Sequence, residues 1–459
     1  MIIDILNTEA KSYIDRLAPI VASRGLRAAT VTFGCQQNEA DSERIMGLLA
    51  GIGYTPEENP ERADLVIVNT CAIREHAEAK ALSLLGRFKK IRERNPDFIL
   101  GVVGCMAAED HRVDSLKKDF HYVSFTAPPG EIHKLPELIY TALTARKRGF
   151  ARAVETPDII EGVRPIRKGS HRAWVSVMYG CNNFCSYCIV PYVRGRERSR
   201  ASADVIRECR ELIDSGVREI TLLGQNVNSY RSDMSFAELL ANIAQISGDF
   251  IIRFMTSHPK DTSDELIEVM SKYKKIAPHF HLPLQSGSNR ILSLMNRTYT
   301  VEKYLDTVKK LRLAVPNVAL STDIIVGFPS EGDADFMATL SVLSAVKFDM
   351  VYSFIYSPRV GTSAAKMSER VDGAVAGERM ERLLSLQDGI SRELTARYVG
   401  HTVRALVDSV RLSDGGALCT ARADSGRVVH FSTDRARVGE FVNIKIKSAS
   451  AFDLFGDEV

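Results

Sequence analysis

A run of strand-forming residues that ends at a cysteine occurs three times near the beginning of the chain. The three runs are 29–34 before Cys35, 64–70 before Cys71 and 98–104 before Cys105. Segments with helical character follow the first two runs, at 41–51 and 77–93. Alternating strands and helices of this kind predict a parallel sheet with helices packed on it.

These three residues, called here the strand-end cysteines, share one position in their units. The carboxyl ends of parallel strands lie along one edge of a sheet, where ligands bind. The separations are too long for a local zinc knuckle, but they suit one cysteine per strand–helix unit. We therefore expect the three thiolates to converge on a metal cluster. Three unrelated buried cysteines are the alternative, and they would have no reason to share this position.

A second set of cysteines is closely spaced. Cys181, Cys185 and Cys188, called here the loop cysteines, form a CxxxCxxC pattern after a predicted strand near 174–179. Three thiolates can hold three irons of a four-iron, four-sulfur cluster and leave the fourth iron open to a small molecule. Structural zinc sites normally take four protein ligands. A zinc knuckle with a distant fourth ligand, or buried thiols without metal, are the alternatives.

Composition limits the class of protein. A chain of 459 residues with 45% hydrophobic residues predicts two to four globular domains. The net charge of +3 provides no general attraction to a polyanion, so a nucleic acid would need local basic patches, such as 146–172 and 194–200. No signal-peptide pattern and no apolar run of about 20 residues is present. We therefore expect a cytoplasmic protein without a membrane partner. In a cytosolic chain of this size, eight cysteines favour metal binding or catalysis over disulfides.

The predicted fold class is α/β in three domains. The six strand–helix units of the central part are too few for a closed eight-stranded barrel, so we expect an open (βα)6 barrel. The tail has short strands between Gly, Asp and Ser turns, which predicts a small β-barrel. The expected segments are 1–24, a helical extension; 25–150, a parallel α/β domain; 151–172, a linker; 173–398, the (βα)6 barrel; and 399–459, the C-terminal β-barrel.

Several motifs resemble those of the methylthiotransferase family of radical S-adenosylmethionine (SAM) enzymes. The resemblance covers nearly the whole chain, and the tail is similar to a TRAM domain, an RNA-binding β-barrel. FGCQxN around Cys35 and IVPYVRG at 189–195 favour the tRNA-modifying branch over the branch that acts on ribosomal protein S12. The other motifs are VNTCAIR at 68–74, GVVGCM at 101–106, LLGQNVN at 222–228, HLPLQSGS at 281–288 and TDIIVGFPSE at 322–331.

The resemblance implies two reactions of SAM on two 4Fe-4S clusters. The cluster on the loop cysteines would cleave SAM to a 5′-deoxyadenosyl radical, which takes hydrogen from the unactivated carbon 2 of an adenine ring. The cluster on the strand-end cysteines would hold a sulfide that a second SAM methylates. The product would be the 2-methylthio derivative of N6-isopentenyladenosine beside the anticodon. The implied partners are the anticodon stem-loop of tRNA, an electron donor such as a flavodoxin or ferredoxin, and a sulfur donor. We expect the protein to be a monomer.

Polar residues at the carboxyl ends of the barrel strands are candidates for SAM binding, because side chains there usually face the ligand. Tyr187 precedes the last loop cysteine and is placed to stack on the adenine of SAM, with core packing as the alternative. Gln225 and Asn226 are candidates for the methionyl amino group. Arg194 and Arg200 are candidates for the SAM carboxylate or a tRNA phosphate. The remaining candidates, chosen by their place at strand ends, are Ser257, Gln285 and Asp323.

Two other functions remain open from the sequence. One is the same chemistry on ribosomal protein S12, and the other is a non-catalytic iron–sulfur protein that binds RNA or senses a signal. The tail does not separate the tRNA-modifying branch from the ribosomal-protein branch, since both branches carry it. From His401 onward it has eight basic and eight acidic residues, so shape and stacking on an unpaired loop are expected to outweigh charge in any RNA contact.

Overall fold

The computed structural model describes residues 2–5, 9–72, 75–155, 157–167, 169, 171–413, 416–434 and 437–459. The chain divides into two compact units, and two of the loop cysteines, Cys181 and Cys188, belong to the first unit while Cys185 belongs to the second. Residues 73 and 74 of the VNTCAIR motif and Lys168 of the basic linker lie outside the described residues. The first unit comprises Met1–Lys168, Met178–Asn182 and Cys188–Arg200, and the second comprises Gly169–Val177, Asn183–Tyr187 and Ala201–Val459.

A six-stranded parallel sheet forms the centre of the first unit. Its strand residues alternate between two cores: Leu65 and Ile67 lie in one, and Val66 and Val68 lie in the other. Both faces are therefore apolar, as the β-branched runs predict. Three of the strands were not predicted, because they are too short to carry a periodic signal. In spatial order the strands are Thr55–Pro56, Arg27–Phe33, Leu65–Thr70, Ile99–Gly104, Phe125–Ala127 and Gly149–Phe150.

Helices cover both faces of this sheet. One face carries Ala10–Arg24, Gln36–Ile52 and Leu135–Thr144. The other carries Glu75–Arg94 and Asp110–Asp119. The unit also contains the short helix Val190–Arg194 and an antiparallel pair, Met178–Tyr179 with Arg198–Ser199.

The segment expected as an extension and most of the expected linker, residues 151–168, are parts of the first unit. Leu17 and Val21 of the first helix are fully buried in the core. The strand Ile2–Asp4 pairs in parallel with Ile159–Glu161. The sequence predicts a linker at 151–172 because its basic residues and prolines obscure the short strand Ile159–Glu161. The pairing partner of this strand lies far away in the sequence.

Six parallel strands in chain order form the barrel of the second unit, which confirms the open (βα)6 prediction. They make two three-stranded sheets, joined by an isolated bridge between Ile252 and Ile276. Within the described residues the first and last strands do not pair, so the barrel is open. The strands are Arg172–Ser176, Glu219–Leu223, Ile251–Phe254, His279–His281, Ala319–Val326 and Met350–Ile355.

Helices alternate with the strands of the second unit, as predicted, and the short helix Asn289–Leu294 is an addition that the sequence did not predict. This helix is only six residues long, and its start is fixed by the Ser288 hydroxyl, which accepts a hydrogen bond from the Ile291 amide. Within the described residues, no helix combines the length and apolar character that crossing a membrane requires. The helices are Ser202–Asp214, Phe236–Ala244, Asp264–Lys272, Asn289–Leu294, Val301–Ala314, Asp333–Val346 and Gly373–Ala396.

The tail closes into a five-stranded barrel, as predicted. Alternate residues such as Ala405 and Val407 point into its core, where Cys419 is also buried. In spatial order its strands are Thr402–Ser413, Gly416–Ala423, Val428–Thr433, Asp453–Glu458 and Phe441–Ala449.

This C-terminal barrel packs against the amino-terminal ends of the (βα)6 strands. Arg253 is central to the contact, and its Nε donates to Glu219 at 2.7 Å. Its two Nη atoms donate to the backbone oxygens of Ala423 and Asp424 at 2.9 Å each. Because Glu219 is the first residue of its strand, the C-terminal barrel lies at the end opposite Asn226 and Ser257, which follow the carboxyl ends of their strands.

Candidate functional site

A pair of buried asparagines connects two of the strand-end cysteines. Cys35 is the N-cap of the following helix, at the positive end of the helix dipole. Its amide donates to Asn38 Oδ1 at 3.3 Å. Asn38 Nδ2 donates to Asn69 Oδ1 at 3.1 Å and to the carbonyl of Thr70 at 3.2 Å, immediately before Cys71. The helix begins at Gln36, earlier than predicted, because its first turn consists of these polar residues and carries no apolar periodicity.

Cys105 is positioned by the residue before it. Gly104 has a φ of +92°, and a Cβ there would overlap the Asn69 side chain and the Thr70 carbonyl. Glycine is therefore required for the strand to end close to the other two cysteines. Cys105 then starts a short 3-10 turn and is buried.

We expect Gly104→Ala to displace Cys105 and to remove most of the iron that the strand-end cysteines hold. The physical reasons are the overlap and the strain of a positive φ at a residue with a side chain. Iron per chain after anaerobic reconstitution, with circular dichroism as a check of folding, measures the effect. Gly86→Ala is the matched control, because Gly86 lies within a helix with open space at its Cβ position. A normal iron content in Gly104→Ala would contradict this account of Gly104.

The electrostatics of the three thiols suit a cationic group. Burial raises the pKa of Cys105 to about 12, the Arg194 guanidinium opposes that shift, and negative charge on Cys71 and Cys35 adds to it. Cys71 and Cys35 are therefore close enough to Cys105 to disfavour its ionisation. Bound iron would supply the missing positive charge, since a coordinating thiol is deprotonated by its metal.

The chemistry of the donor set, three thiols, suits an iron–sulfur cluster. Among the described residues, no group of three or more His, Cys, Asp and Glu side chains is arranged to hold a single metal ion. A zinc ion requires its sulfurs about 2.3 Å away, whereas a four-iron cluster takes one thiolate on each of several irons. None of the eight cysteines, all of them within the described residues, forms a disulfide.

Arg194 has partners other than those expected from the sequence. It is 5% exposed, its Nη2 donates to Asp41 at 2.9 Å, and its Nε donates to Cys105 Sγ at 3.3 Å. Arg200, the other candidate for SAM or phosphate, forms an ion pair with Glu161 at 2.6 Å. Both guanidiniums are thus engaged inside the first unit. Sequence reasoning missed this because neither carboxylate is near its arginine in the chain.

In the first unit the loop motif is held by its own backbone. Gly180 has a φ of +77°, and a Cβ there would overlap the carbonyl of Arg196. The amide of Cys181 then donates to the carbonyl of Gly195 at 3.2 Å. Asn182 and Glu197 exchange two further hydrogen bonds of 3.2 Å each. The segment after the loop cysteines therefore folds back on the segment before Cys181.

In the second unit, Cys185 is held by the residues that follow the helix Asn289–Leu294. Asn296 Nδ2 donates to the carbonyl of Phe184 at 2.9 Å. Arg297 Nη1 donates to Cys185 Sγ at 3.4 Å. Sequence reasoning did not select Asn296 or Arg297, because nothing in their spacing connects them with the cysteine motif.

The carboxyl ends of the barrel strands carry unsatisfied polar atoms. Asn226 Oδ1 and Ser257 Oγ are buried without a hydrogen-bond partner among the described residues. The Nδ2 of Asn226 donates to Asp261 at 2.7 Å, which fixes the amide so that its oxygen is the free acceptor. Buried polar groups are normally paired, so these two atoms are suited to a polar ligand such as SAM.

The other SAM candidates differ in their surroundings. Gln285 has a φ of +70°, and its amide and carbonyl bond to the neighbouring strand at Asp323 and Ile325. Asp323 lies 3.4 Å from His281. Tyr187 packs against a small apolar cluster that includes Ile291, which is the core-packing alternative. Gln225 is partly exposed beside Asn226.

Three segments of the chain match family models. Residues 27–127 match the family described as uncharacterized protein family UPF0004. Residues 175–343 match the radical SAM superfamily. Residues 396–459 match the TRAM domain, which agrees with the closed barrel of the tail.

Curated relatives match nearly the full chain, and the three described here are named tRNA-2-methylthio-N(6)-dimethylallyladenosine synthase. The protein of Thermoanaerobacter sp. (strain X514) is 46% identical over 93% of this chain and 92% of its own. This chain belongs to the same family of radical SAM methylthiotransferases. The relative from Acetivibrio thermocellus is 46% identical over 93% and 90% of the two chains. That from Geobacillus thermodenitrificans is 43% identical over 95% and 84%.

Family membership confirms the resemblance and does not favour the ribosomal-protein alternative. The chain is therefore an enzyme. The radical SAM family implies SAM and a 4Fe-4S cluster as cofactors.

Solved structures support the fold of the central part. The radical SAM methyltransferase TsrM from Kitasatospora setae, solved with cobalamin and a [4Fe-4S] cluster, has a TM-score of 0.54 at 13% identity and covers 74% of this chain and 77% of its own. The cobalamin-dependent radical enzyme OxsB has a TM-score of 0.50 at 12% identity and covers 81% and 57%. At these identities the likeness shows the fold alone.

Proposed function

We propose that this enzyme adds a methylthio group to carbon 2 of N6-isopentenyladenosine beside the anticodon of tRNA. The observation that carries the proposal is the 46% identity over 93% of the chain to synthases named for this product. The described cysteines support it, because they provide two sets of three thiols rather than the single set that SAM cleavage requires. A TRAM domain supports an RNA substrate.

The residues have distinct proposed roles. The loop cysteines would hold a cluster that would supply the one-electron and radical chemistry needed at an unactivated carbon. The strand-end cysteines would hold the second cluster, which would supply the chemistry of sulfur transfer. Asn226 Oδ1 accepts a hydrogen bond from the methionyl amino group, and Ser257 binds a further polar group of SAM. Gln285 and Asp323 complete this polar edge of the barrel. A flavodoxin or ferredoxin supplies electrons, and a separate sulfur donor supplies sulfur.

Mass spectrometry of tRNA nucleosides tests the proposal in cells. A strain that lacks the gene is expected to lose the 2-methylthio derivative and to accumulate N6-isopentenyladenosine, and the intact gene is expected to reverse both changes. Ribosomal protein S12 from the same strains provides the comparison. A change in the mass of S12 with unchanged tRNA nucleosides would assign the enzyme to the ribosomal-protein branch instead.

An exposed aromatic pair on the TRAM domain supports RNA binding by stacking. Phe455 is 40% exposed, and its ring stacks on His430 with centroids 5.4 Å apart and planes 27° apart. Bases of an unpaired loop stack on such platforms without needing a basic surface. This arrangement suits a tail whose charges are balanced.

Phe455→Ala is therefore expected to weaken binding of the anticodon stem-loop by about 1–3 kcal/mol, the usual contribution of one stacked base. Fluorescence anisotropy with labelled stem-loop RNA measures the affinity. Phe455→Tyr keeps the ring and should bind normally, whereas Phe455→Leu keeps apolar area but should bind weakly. Equal affinity of all three variants and the wild type would show that this face does not bind RNA.

A further inference from the structure

Each set of cysteines includes one sulfur that accepts a hydrogen bond from a buried arginine. Arg194 donates to Cys105 in the first unit, and Arg297 donates to Cys185 in the second. Both arginines are almost inaccessible to solvent. Hydrogen bonds to cluster sulfurs, net charge and burial are the main controls on the potential of an iron–sulfur cluster.

The two arginines differ in how their charge is compensated. Arg194 forms an ion pair of 2.9 Å with Asp41, which is also buried. Arg297 is held by neutral groups: its Nη2 donates to the carbonyl of Pro283 at 2.9 Å, and its Nε donates to the hydroxyl of Tyr299 at 3.1 Å. Among the described residues, no carboxylate forms an ion pair with Arg297. The site at Cys185 therefore has an uncancelled buried cation, and the site at Cys105 has a nearly neutral pair.

We propose that this difference directs the reducing electron to the cluster on the loop cysteines. The uncancelled charge of Arg297 favours the extra negative charge of a reduced cluster, whereas Asp41 offsets the same effect of Arg194. One electron leaves the reduced protein donor and enters the loop cluster, with no bond made or broken in that step. Arg297, Arg194 and Asp41 are thus positioning residues that set the order of the two cluster potentials. The inference rests on the proposed assignment of the two clusters.

Potentiometry followed by electron paramagnetic resonance tests this in proteins that keep one cluster each. The first parent has alanine at the strand-end cysteines, and the second has alanine at the loop cysteines. In the first parent, Arg297→Gln should lower the ratio of reduced to oxidised cluster about tenfold at a fixed potential, equivalent to about 59 mV. Arg297→Lys should restore most of that ratio, because it keeps the charge.

In the second parent the expected shifts depend on the sign of the charge removed. Asp41→Asn should raise the ratio of reduced to oxidised cluster about tenfold, because Arg194 loses its compensation. Arg194→Gln should lower it, because Asp41 then remains unpaired. Arg196→Gln is the matched control, since Arg196 is exposed and pairs with Glu155.

The outcomes separate this inference from the proposed function. A parent protein without a four-iron signal would show that its cluster assignment is wrong. Intact parents whose variants keep their iron but show unchanged potentials would overturn the inference. Loss of iron in both Arg297→Gln and Arg297→Lys would also overturn it, because the arginine would then act in cluster retention.

Discussion

Replacing Cys35, Cys71 and Cys105 by alanine is expected to abolish methylthio transfer while leaving reductive cleavage of SAM to 5′-deoxyadenosine measurable. The reason is that the strand-end cysteines form a separate set, tied together by Asn38, Asn69 and Gly104. Iron in anaerobically reconstituted protein should fall from about eight to about four per chain, the content of one four-iron cluster. Iron analysis and chromatography of the SAM products measure both effects.

The converse variant has a different expected result. Alanine at the three loop cysteines should also leave about half of the iron, but it should abolish both SAM cleavage and transfer. Cys209→Ala and Cys419→Ala are matched controls, because both residues are buried outside the two sets, in a helix and in the C-terminal barrel. Loss of SAM cleavage in a folded strand-end variant that keeps the loop cluster would count against separate sites. Zinc as the sole bound metal would count against iron–sulfur clusters at both sets of cysteines.

Arg253→Ala is expected to lower the free energy of unfolding of the second unit by about 3–5 kcal/mol, the usual cost of removing one partner of a buried ion pair. The side chain of Glu219 is 4% exposed and would lose its 2.7 Å bond to Arg253. The carbonyls of Ala423 and Asp424 would each lose one donor as well. Chemical denaturation measures the change, and Arg218→Ala, at an exposed neighbouring position, should stay within about 0.5 kcal/mol of the wild type.

This effect should depend on pH. Burial raises the pKa of Glu219, but Arg253 and Arg172 outweigh it, so the pKa lies below the ordinary 4.5. A carboxyl with a lowered folded pKa stabilises the protein above its ordinary pKa, and that stability is lost as the pH falls through the folded value. The difference between wild type and Arg253→Ala should therefore be largest above about pH 4.5 and shrink in acid. A difference independent of pH would show that Glu219 is not the group responsible.

The same contacts change what deletion of the tail can show. The sequence alone favours removal of residues 400–459 as a test of RNA binding, because all six candidate cluster cysteines precede this segment. In the structure that deletion would expose Arg253 and the acidic partners of the tail's arginines, such as Asp349, which bonds Arg427 at 2.7 Å. Point variants at Phe455 avoid this loss of stability, so they are the better test of the RNA-binding face.

The fold was largely predictable because its strands are continuous apolar runs and its cysteines mark their ends. The motifs around the strand-end cysteines include Asn38 and Gly104. The roles of these two residues depend on contacts with Asn69 and Thr70, which only the structure shows. Local patterns do not report such contacts between distant segments. For the same reason the strand Ile159–Glu161 was taken for a linker.

The charged residues of the site were the least predictable. Arg194 was selected from sequence as an anion-binding residue, but its partners, Asp41 and Cys105, lie far from it in the chain. Arg297 was not selected at all, since a single arginine after a short helix has no distinctive pattern. Burial and ion pairing depend on tertiary structure, so composition and spacing contain little information about them.

The most direct test of the proposed activity is mass spectrometry of an anticodon stem-loop incubated with the purified, anaerobically reconstituted enzyme, SAM and a reductant. The substrate carries N6-isopentenyladenosine, and a matched stem-loop carries unmodified adenosine. We expect the 2-methylthio derivative to form on the first RNA and to require both SAM and reductant. The proposed function would be contradicted if enzyme that carries both clusters and is given a sulfur source cleaves SAM but leaves the isopentenyladenosine unchanged.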